Sequence, residues 1–142
     1  MTNLTTKIDV PALDLFGSDA TFHHIGLAVV SIRKAVPGDV TIVTDETQRV
    51  SVAFIELNGI SIELIEPFGE KSPVSASLTQ GQRLVHLCFS VSDIEAAIVQ
   101  ARKHDVHCIA KPVPATAFGN RKIAWLFSRT YGTIELVERE MS

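Results

Sequence analysis

Two histidines and two glutamates in this chain recur in register with an internal repeat, and residue types in that pattern could together ligate a metal. His24 opens the run His24-Ile-Gly-Leu-Ala-Val-Val-Ser-Ile-Arg-Lys-Ala, and His86 opens His86-Leu-Cys-Phe-Ser-Val-Ser-Asp-Ile-Glu-Ala-Ala. Glu63 lies in Ser61-Ile-Glu-Leu-Ile-Glu and Glu135 in Thr133-Ile-Glu-Leu-Val-Glu. Each half of the chain therefore supplies one imidazole and one carboxylate. A carboxylate on a central strand is costly to desolvate unless a charge compensates it. Two imidazoles and two carboxylates brought together compensate each other best around a divalent ion, and they suit zinc, nickel, cobalt, iron or manganese better than calcium. Four protein ligands in a six-coordinate shell leave two positions for water or substrate. A lone strand histidine is usually structural, and a lone strand glutamate is usually solvated. The joint pattern, His then Glu twice over, is what points to a metal. His24 rather than its neighbour His23 shares the register of His86, so His23 is expected on the opposite face. Glu66 and Glu138 read as ordinary strand-end charges.

The elements that must hold these groups follow from periodicity. Leu84 to Val91 alternates as a strand, with His86, Cys88 and Ser90 on one face and Leu87, Phe89 and Val91 on the other. Ser92 followed by Glu95 reads as a capping box, and Ile94, Ala97, Ile98 and Ala101 have the spacing of a buried helical face. The first half copies this plan in shortened form. A strand runs from about Thr21 to Val30, and the helix that Ser31 can cap is stopped by Pro37-Gly38. Short strands are expected over 39–44 and 49–57, and Asn58-Gly59 signals a tight hairpin into a strand over 60–66. Residues 70–83 read as a polar connection with a helical turn after Pro73. In the second half, 106–109, 122–127 and 133–138 read as strands, and Lys111–Asn120, with Pro112, Pro114 and Gly119, as a loop. The faces carrying His24, Glu63, His86 and Glu135 are lined mainly by small residues, which leaves room for a cavity.

The chain has 142 residues, a net charge of −3 and 46% hydrophobic residues. That is one domain, rich enough in apolar residues to build a core. The acidic balance argues against nucleic acid or an anionic membrane as partner. No apolar run reaches the roughly 18 residues of a membrane span, and Met1 to Asp9 lacks the apolar centre of a signal peptide. Cys88 and Cys108 are the only cysteines, and they read as buried free thiols in a reducing cytoplasm. Residues 1–20 are expected to form an arm against the body or a second subunit.

At the four ligand positions the chain resembles the vicinal oxygen chelate superfamily, over roughly residues 22–139. Within it, His24-Ile-Gly-Leu-Ala-Val, Ile62-Glu-Leu-Ile-Glu-Pro with Ser72-Pro, Val85-His-Leu-Cys-Phe, Asp93-Ile-Glu-Ala-Ala, Phe118-Gly-Asn-Arg-Lys-Ile-Ala-Trp-Leu and Ile134-Glu-Leu-Val-Glu resemble the methylmalonyl-CoA epimerase branch. The resemblance implies an α+β fold in which paired βαβββ modules, 21–69 and 84–139, form a concave mixed sheet around a metal site. It implies His24, Glu63, His86 and Glu135 as ligands to one divalent ion (cobalt, nickel, zinc or manganese). Glu135 would also be the catalytic proton carrier, and Gln48 and Asn120 would be substrate contacts. The activity implied is epimerisation next to a carbonyl, on a small-molecule substrate such as an acyl-CoA, in a homodimer. A lactoylglutathione lyase-like isomerase is the alternative enzyme, and a non-catalytic small-molecule-binding member is the alternative without chemistry. An iron dioxygenase fits less well, because Glu63 would be a ligand too many. The chain also departs from the pattern. The first helix is cut short, Arg49 replaces a glycine, and Val52 stands where some epimerases have a catalytic glutamate. Asp45 and Glu46 are the nearest spare carboxylates in sequence.

Overall fold

Two copies of one strand plan are joined edge to edge into a single curled sheet. The computed structural model describes residues 4–6 and 14–140. The first module contains β1 (Thr21–Ala28), α1 (Ile32–Ala35), β2 (Val43–Asp45), β3 (Val50–Leu57) and β4 (Ile60–Pro67). A connecting helix, α2 (Pro73–Thr79), leads to the second module of β5 (Leu84–Val91), α3 (Ile94–Arg102), β6 (His107–Pro114), β7 (Lys122–Ser128) and β8 (Gly132–Glu138). The eight strands lie in the order β2-β3-β4-β1-β5-β8-β7-β6. This is a mixed half-barrel of paired βαβββ modules, with β1 and β5 antiparallel at its centre. β4 lies parallel to β1, and β8 lies parallel to β5.

Register places the four candidate ligands on one face. Across the central pair His24 faces Cys88 and Gly26 faces His86. In the parallel pairs Gly26 is beside Glu63 and Cys88 beside Glu135. Side chains directly opposite in neighbouring strands share a face, so all four project into the concavity.

The other face is covered by helix. In the second module Ile94, Ala97, Ile98 and Ala101 of α3 pack on Val91, Leu126, Ile134 and Leu136. Residue Phe16 joins them, its ring 5.0 Å from that of Phe89. Full burial of each large side chain contributes about 1.5–3 kcal/mol. In the first module α1 has only four residues, and Ile32 alone among them packs into the core, on Ala53 and Leu64. The helix stops where expected. Val36 is extended (φ −127°) ahead of Pro37, and Gly38 takes φ 126°.

Several sequence expectations need correction. Ser92 does not cap α3. Asp93 does, its side chain accepting from the Ala96 N–H at 3.0 Å. Glu95 then stands two residues past the cap, one too few to close a capping box. Nor are Glu66 and Glu138 idle strand-end charges. Glu66 accepts from the Ile32 N–H at 2.7 Å and Glu138 from the Ile94 N–H at 3.0 Å, so each caps the helix of its own module. The stretch from Lys111 is not all loop, because β6 runs on to Pro114 before a 3₁₀ turn at Thr116–Phe118. β6 is an edge strand, where Pro112 and Pro114 can lack their N–H groups at little cost. Cys88 and Cys108 are both free, but only Cys88 is fully buried. Much of the expected N-terminal arm, residues 1–3 and 7–13, lies outside the described residues. No described helix is long and apolar enough to cross a membrane.

A further correction bears on the site. The pairing of β1 with β5 slips between Phe22 and His24 and again between Gly26 and Leu27. His23 and Val85 are the extra residues of these two bulges, in equivalent places of the two modules. A bulge breaks the period-two alternation, so His23 does not lie on the opposite face. It packs against His24, Phe54 and Phe118.

Candidate metal centre

His24, Glu63, His86 and Glu135 aim their donor atoms at a single point. His24 Nε2 lies 3.3 Å from Glu63 Oε1 and 3.2 Å from Glu135 Oε1. His86 Nε2 is 3.3 Å from each of the same two oxygens, and the two Nε2 atoms are 3.2 Å apart. All four side chains are buried. Glu135 Oε1 is buried without a well-oriented hydrogen bond to any described residue, although two imidazole nitrogens are close by.

These separations fit an ion in the middle. Donors about 2.0–2.2 Å from a common first-row metal stand roughly 2.8–3.6 Å apart, depending on geometry. Two carboxylates and two neutral imidazoles carry the charge a divalent cation cancels. The alternative, protons in place of the ion, shows in the acid–base properties of the metal-free cluster. Burial pushes the His86 imidazolium toward losing its proton, yet hydrogen bonding and charge from Glu135 and Glu63 outweigh it and raise its pKa to about 9. His24 is raised from its ordinary value by the same two carboxylates, again against burial. Burial pushes Glu135 up, but His24 and His86 together hold it down to about 2.

An aromatic collar surrounds the imidazoles. The ring of His24 stacks on Phe118 at 5.9 Å and meets the edge of Phe54 at 5.2 Å. His86 meets Trp125 edge-on at 4.9 Å. His23 Nδ1 lies 2.8 Å from His24 Nδ1. Nothing in the alternation of the sequence singles out these neighbours, because a bulge brings in His23, partner strands bring in Phe54 and Trp125, and the 3₁₀ turn after β6 brings in Phe118.

Above the ligands opens a cavity of about 400 Å³ with largely apolar walls, including Val50, Val52, Ile65, Val74 and Ile123. Glu63, His86 and Glu135 form its polar patch. Gln48 also lines it, with its Oε1 accepting from Trp125 Nε1 at 3.2 Å. Asn120 is not brought to the cavity. It is exposed in a left-handed turn (φ 66°) after Gly119. Val52 contributes to the apolar wall. Asp45 reaches the cavity, but its two oxygens accept from the N–H groups of Gln48 (3.0 Å) and Thr116 (3.2 Å). The bond from Thr116 ties the two ends of the curled sheet together. Glu46 is exposed.

Comparisons with known proteins agree with this architecture. Residues 23–125 match the family described as the Glyoxalase/Bleomycin resistance protein/Dioxygenase superfamily. The mitochondrial methylmalonyl-CoA epimerase of Homo sapiens is 26% identical over 130 residues, which covers 84% of this chain and 73% of that protein. A hypothetical protein from Bacillus halodurans C-125 superposes with a TM-score of 0.73 at 28% identity, covering 88% of this chain and 98% of the other. Methylmalonyl-CoA epimerase from Mycobacterium tuberculosis superposes with a TM-score of 0.68 at 22% identity, covering 84% and 88%.

Proposed function

Since the chain belongs to the glyoxalase/bleomycin resistance protein/dioxygenase superfamily, we propose that it is a metal-dependent isomerase that moves a proton on the carbon next to a carbonyl, as an epimerase of an acyl-CoA thioester does. The observation that carries this reading is the convergence of His24, Glu63, His86 and Glu135 beneath an apolar cavity. The likeness to the human protein named methylmalonyl-CoA epimerase supports the substrate class.

A divalent ion held by these four side chains supplies a positive charge that stabilises the negative charge developing on a carbonyl oxygen. The chain's own residues do the rest. The apolar walls exclude water from the reacting carbon. Glu135 removes the proton from the α-carbon and returns it. Inversion requires return of a proton to the opposite face. Glu63 is the other carboxylate beside the ligand point that can assist, since Asp45 is occupied by two backbone N–H groups. The apolar wall at Val52 also favours a second reading, a glyoxalase-type isomerase, in which one carboxylate moves a proton between adjacent carbons of a thiol adduct.

We infer that the molecule is a homodimer. Leu84 and Leu87 are 67% and 39% exposed and Leu87 stands on the face away from the ligands, where a second copy can cover it. Sedimentation equilibrium giving a monomer at micromolar concentration would refute this. The free thiols are compatible with a reducing cytoplasmic setting. The test of function is solvent deuterium exchange at the α-carbon of acyl-CoA thioesters, beside elemental analysis of the purified protein. The expected result is about one divalent ion per chain, with exchange that Glu135→Gln abolishes. Exchange at the wild-type rate in that variant would remove Glu135 from the chemistry.

A further inference from the structure

We propose that His23 is a positioning residue for the metal centre. As the proton acceptor of His24 Nδ1–H, it fixes His24 in the tautomer whose Nε2 is free to bind an ion. This rests on the four-donor cluster being a metal site. A neutral imidazole carries one N–H. If Nε2 of His24 is to donate its lone pair to a metal, the proton must sit on Nδ1, and a buried N–H without an acceptor is costly. His24 is completely buried, and its ring is flanked by Phe54 and Phe118, which offer no acceptor in the ring plane. His23 Nδ1, at 2.8 Å, is the acceptor. The 2.8 Å contact holds one proton between the two nitrogens, so His23 carries its own proton on Nε2.

The bulge is what makes the contact possible. Adjacent strand residues normally point to opposite faces, but the slip between Phe22 and His24 turns His23 toward the concavity. The edges of Phe54 and Phe118 then hold its ring, with centroids at 6.5 and 5.8 Å. The second module has the same bulge, but Val85 occupies it. Val85 lines the cavity wall and has no side-chain acceptor to offer His86. The two halves therefore share the backbone device and differ in its use. Partners of this kind typically change metal affinity by about 10- to 100-fold when removed.

The test compares wild type, His23→Leu and His23→Asn, with cobalt(II) binding followed by its visible absorption and by the dissociation constant. The Asn amide oxygen can sit near the place of Nδ1, and Leu offers no acceptor. Leu should weaken cobalt(II) binding about 10- to 100-fold and alter the spectrum, and Asn should restore most of the affinity. The metal-free Leu variant should melt no lower than wild type. Unchanged affinity in His23→Leu, or equal weakening in both variants, would overturn the proposal while leaving the metal site intact. Absence of cobalt(II) binding by wild type would overturn the metal site itself, and this role with it. If the Leu variant does not fold, nitrogen-15 NMR of the zinc-loaded wild type decides. The expected result is a proton on Nδ1 of His24 and on Nε2 of His23, and a His24 protonated at Nε2 would overturn the assignment.

Discussion

At the scale of single residues, the site depends on a position that carries no chemistry. Gly26 is needed for space and not for backbone conformation. A Cβ added there would lie 2.2, 2.4 and 2.6 Å from three atoms of the His86 ring, so any side chain must push that ring off the ligand point. The equivalent position in the second module is Cys88, which faces His24 across the central strands. There the ring tolerates a side chain, because the bulge at His23 and the stacking on Phe118 hold His24 differently. Gly26→Ala should therefore cost about 1–3 kcal/mol, as overpacking does, and should lower the metal content of the purified protein well below that of wild type. Cys88→Ala should leave the metal content close to wild type. Elemental analysis and thermal melting of the two variants check this. A Gly26→Ala protein that keeps a full complement of metal would show that His86 does not need its present ring position to bind.

At the scale of elements, each module uses two glutamates three residues apart for two different tasks. Glu63 and Glu135 face the concavity, whereas Glu66 and Glu138 reach the opposite side and accept from the first N–H groups of α1 and α3. Caps of this kind are worth about 0.5–2 kcal/mol. Glu138→Ala should lower unfolding stability in urea by about that amount and leave the metal content unchanged. Loss of metal in that variant would mean that β8 needs the cap to hold Glu135 in place. Much of this arrangement was legible in the sequence. The repeat, the hairpin at Asn58-Gly59 and the shortened first helix each leave a local trace, in periodicity or turn chemistry, and Glu63 and Glu135 were found because a strand alternates with period two. Alternation puts His23 on the wrong face because a bulge shifts the phase without changing composition. The role of Glu138 could not be read because its partner is distant in the chain, and β6 was cut short because prolines look like loop until the strand is known to be an edge. Asn120 is implied as a substrate contact by resemblance alone, since no local pattern marks it, and its side chain is exposed.

At the scale of the whole molecule, the candidate metal joins two halves that are otherwise held by the central pairing of β1 with β5 and by the ties from Asp45 and Gln48. Each half contributes one imidazole and one carboxylate, so an ion at the centre crosslinks the modules, and ligand binding to the native state alone adds stability. The metal-free protein must satisfy the same carboxylates with protonated imidazoles. His86 is raised from 6.5 to about 9 in the folded state, so its contribution is fully present below pH 6.5 and is lost as pH rises through about 9. Glu135 is depressed from 4.5 to about 2, so its contribution is present above pH 4.5 and lost as pH falls through about 2. Metal needs the imidazoles neutral and binds with release of their protons, so its stabilisation grows over the range in which the metal-free protein weakens. The melting temperatures of the cobalt-loaded and chelator-treated protein should therefore diverge between pH 6.5 and 9. Calorimetric scans at several pH values in that interval read the gap directly. A gap that stays constant or narrows would mean that protons and metal do not compete for His86, and the four side chains would then form a self-sufficient ion-pair cluster.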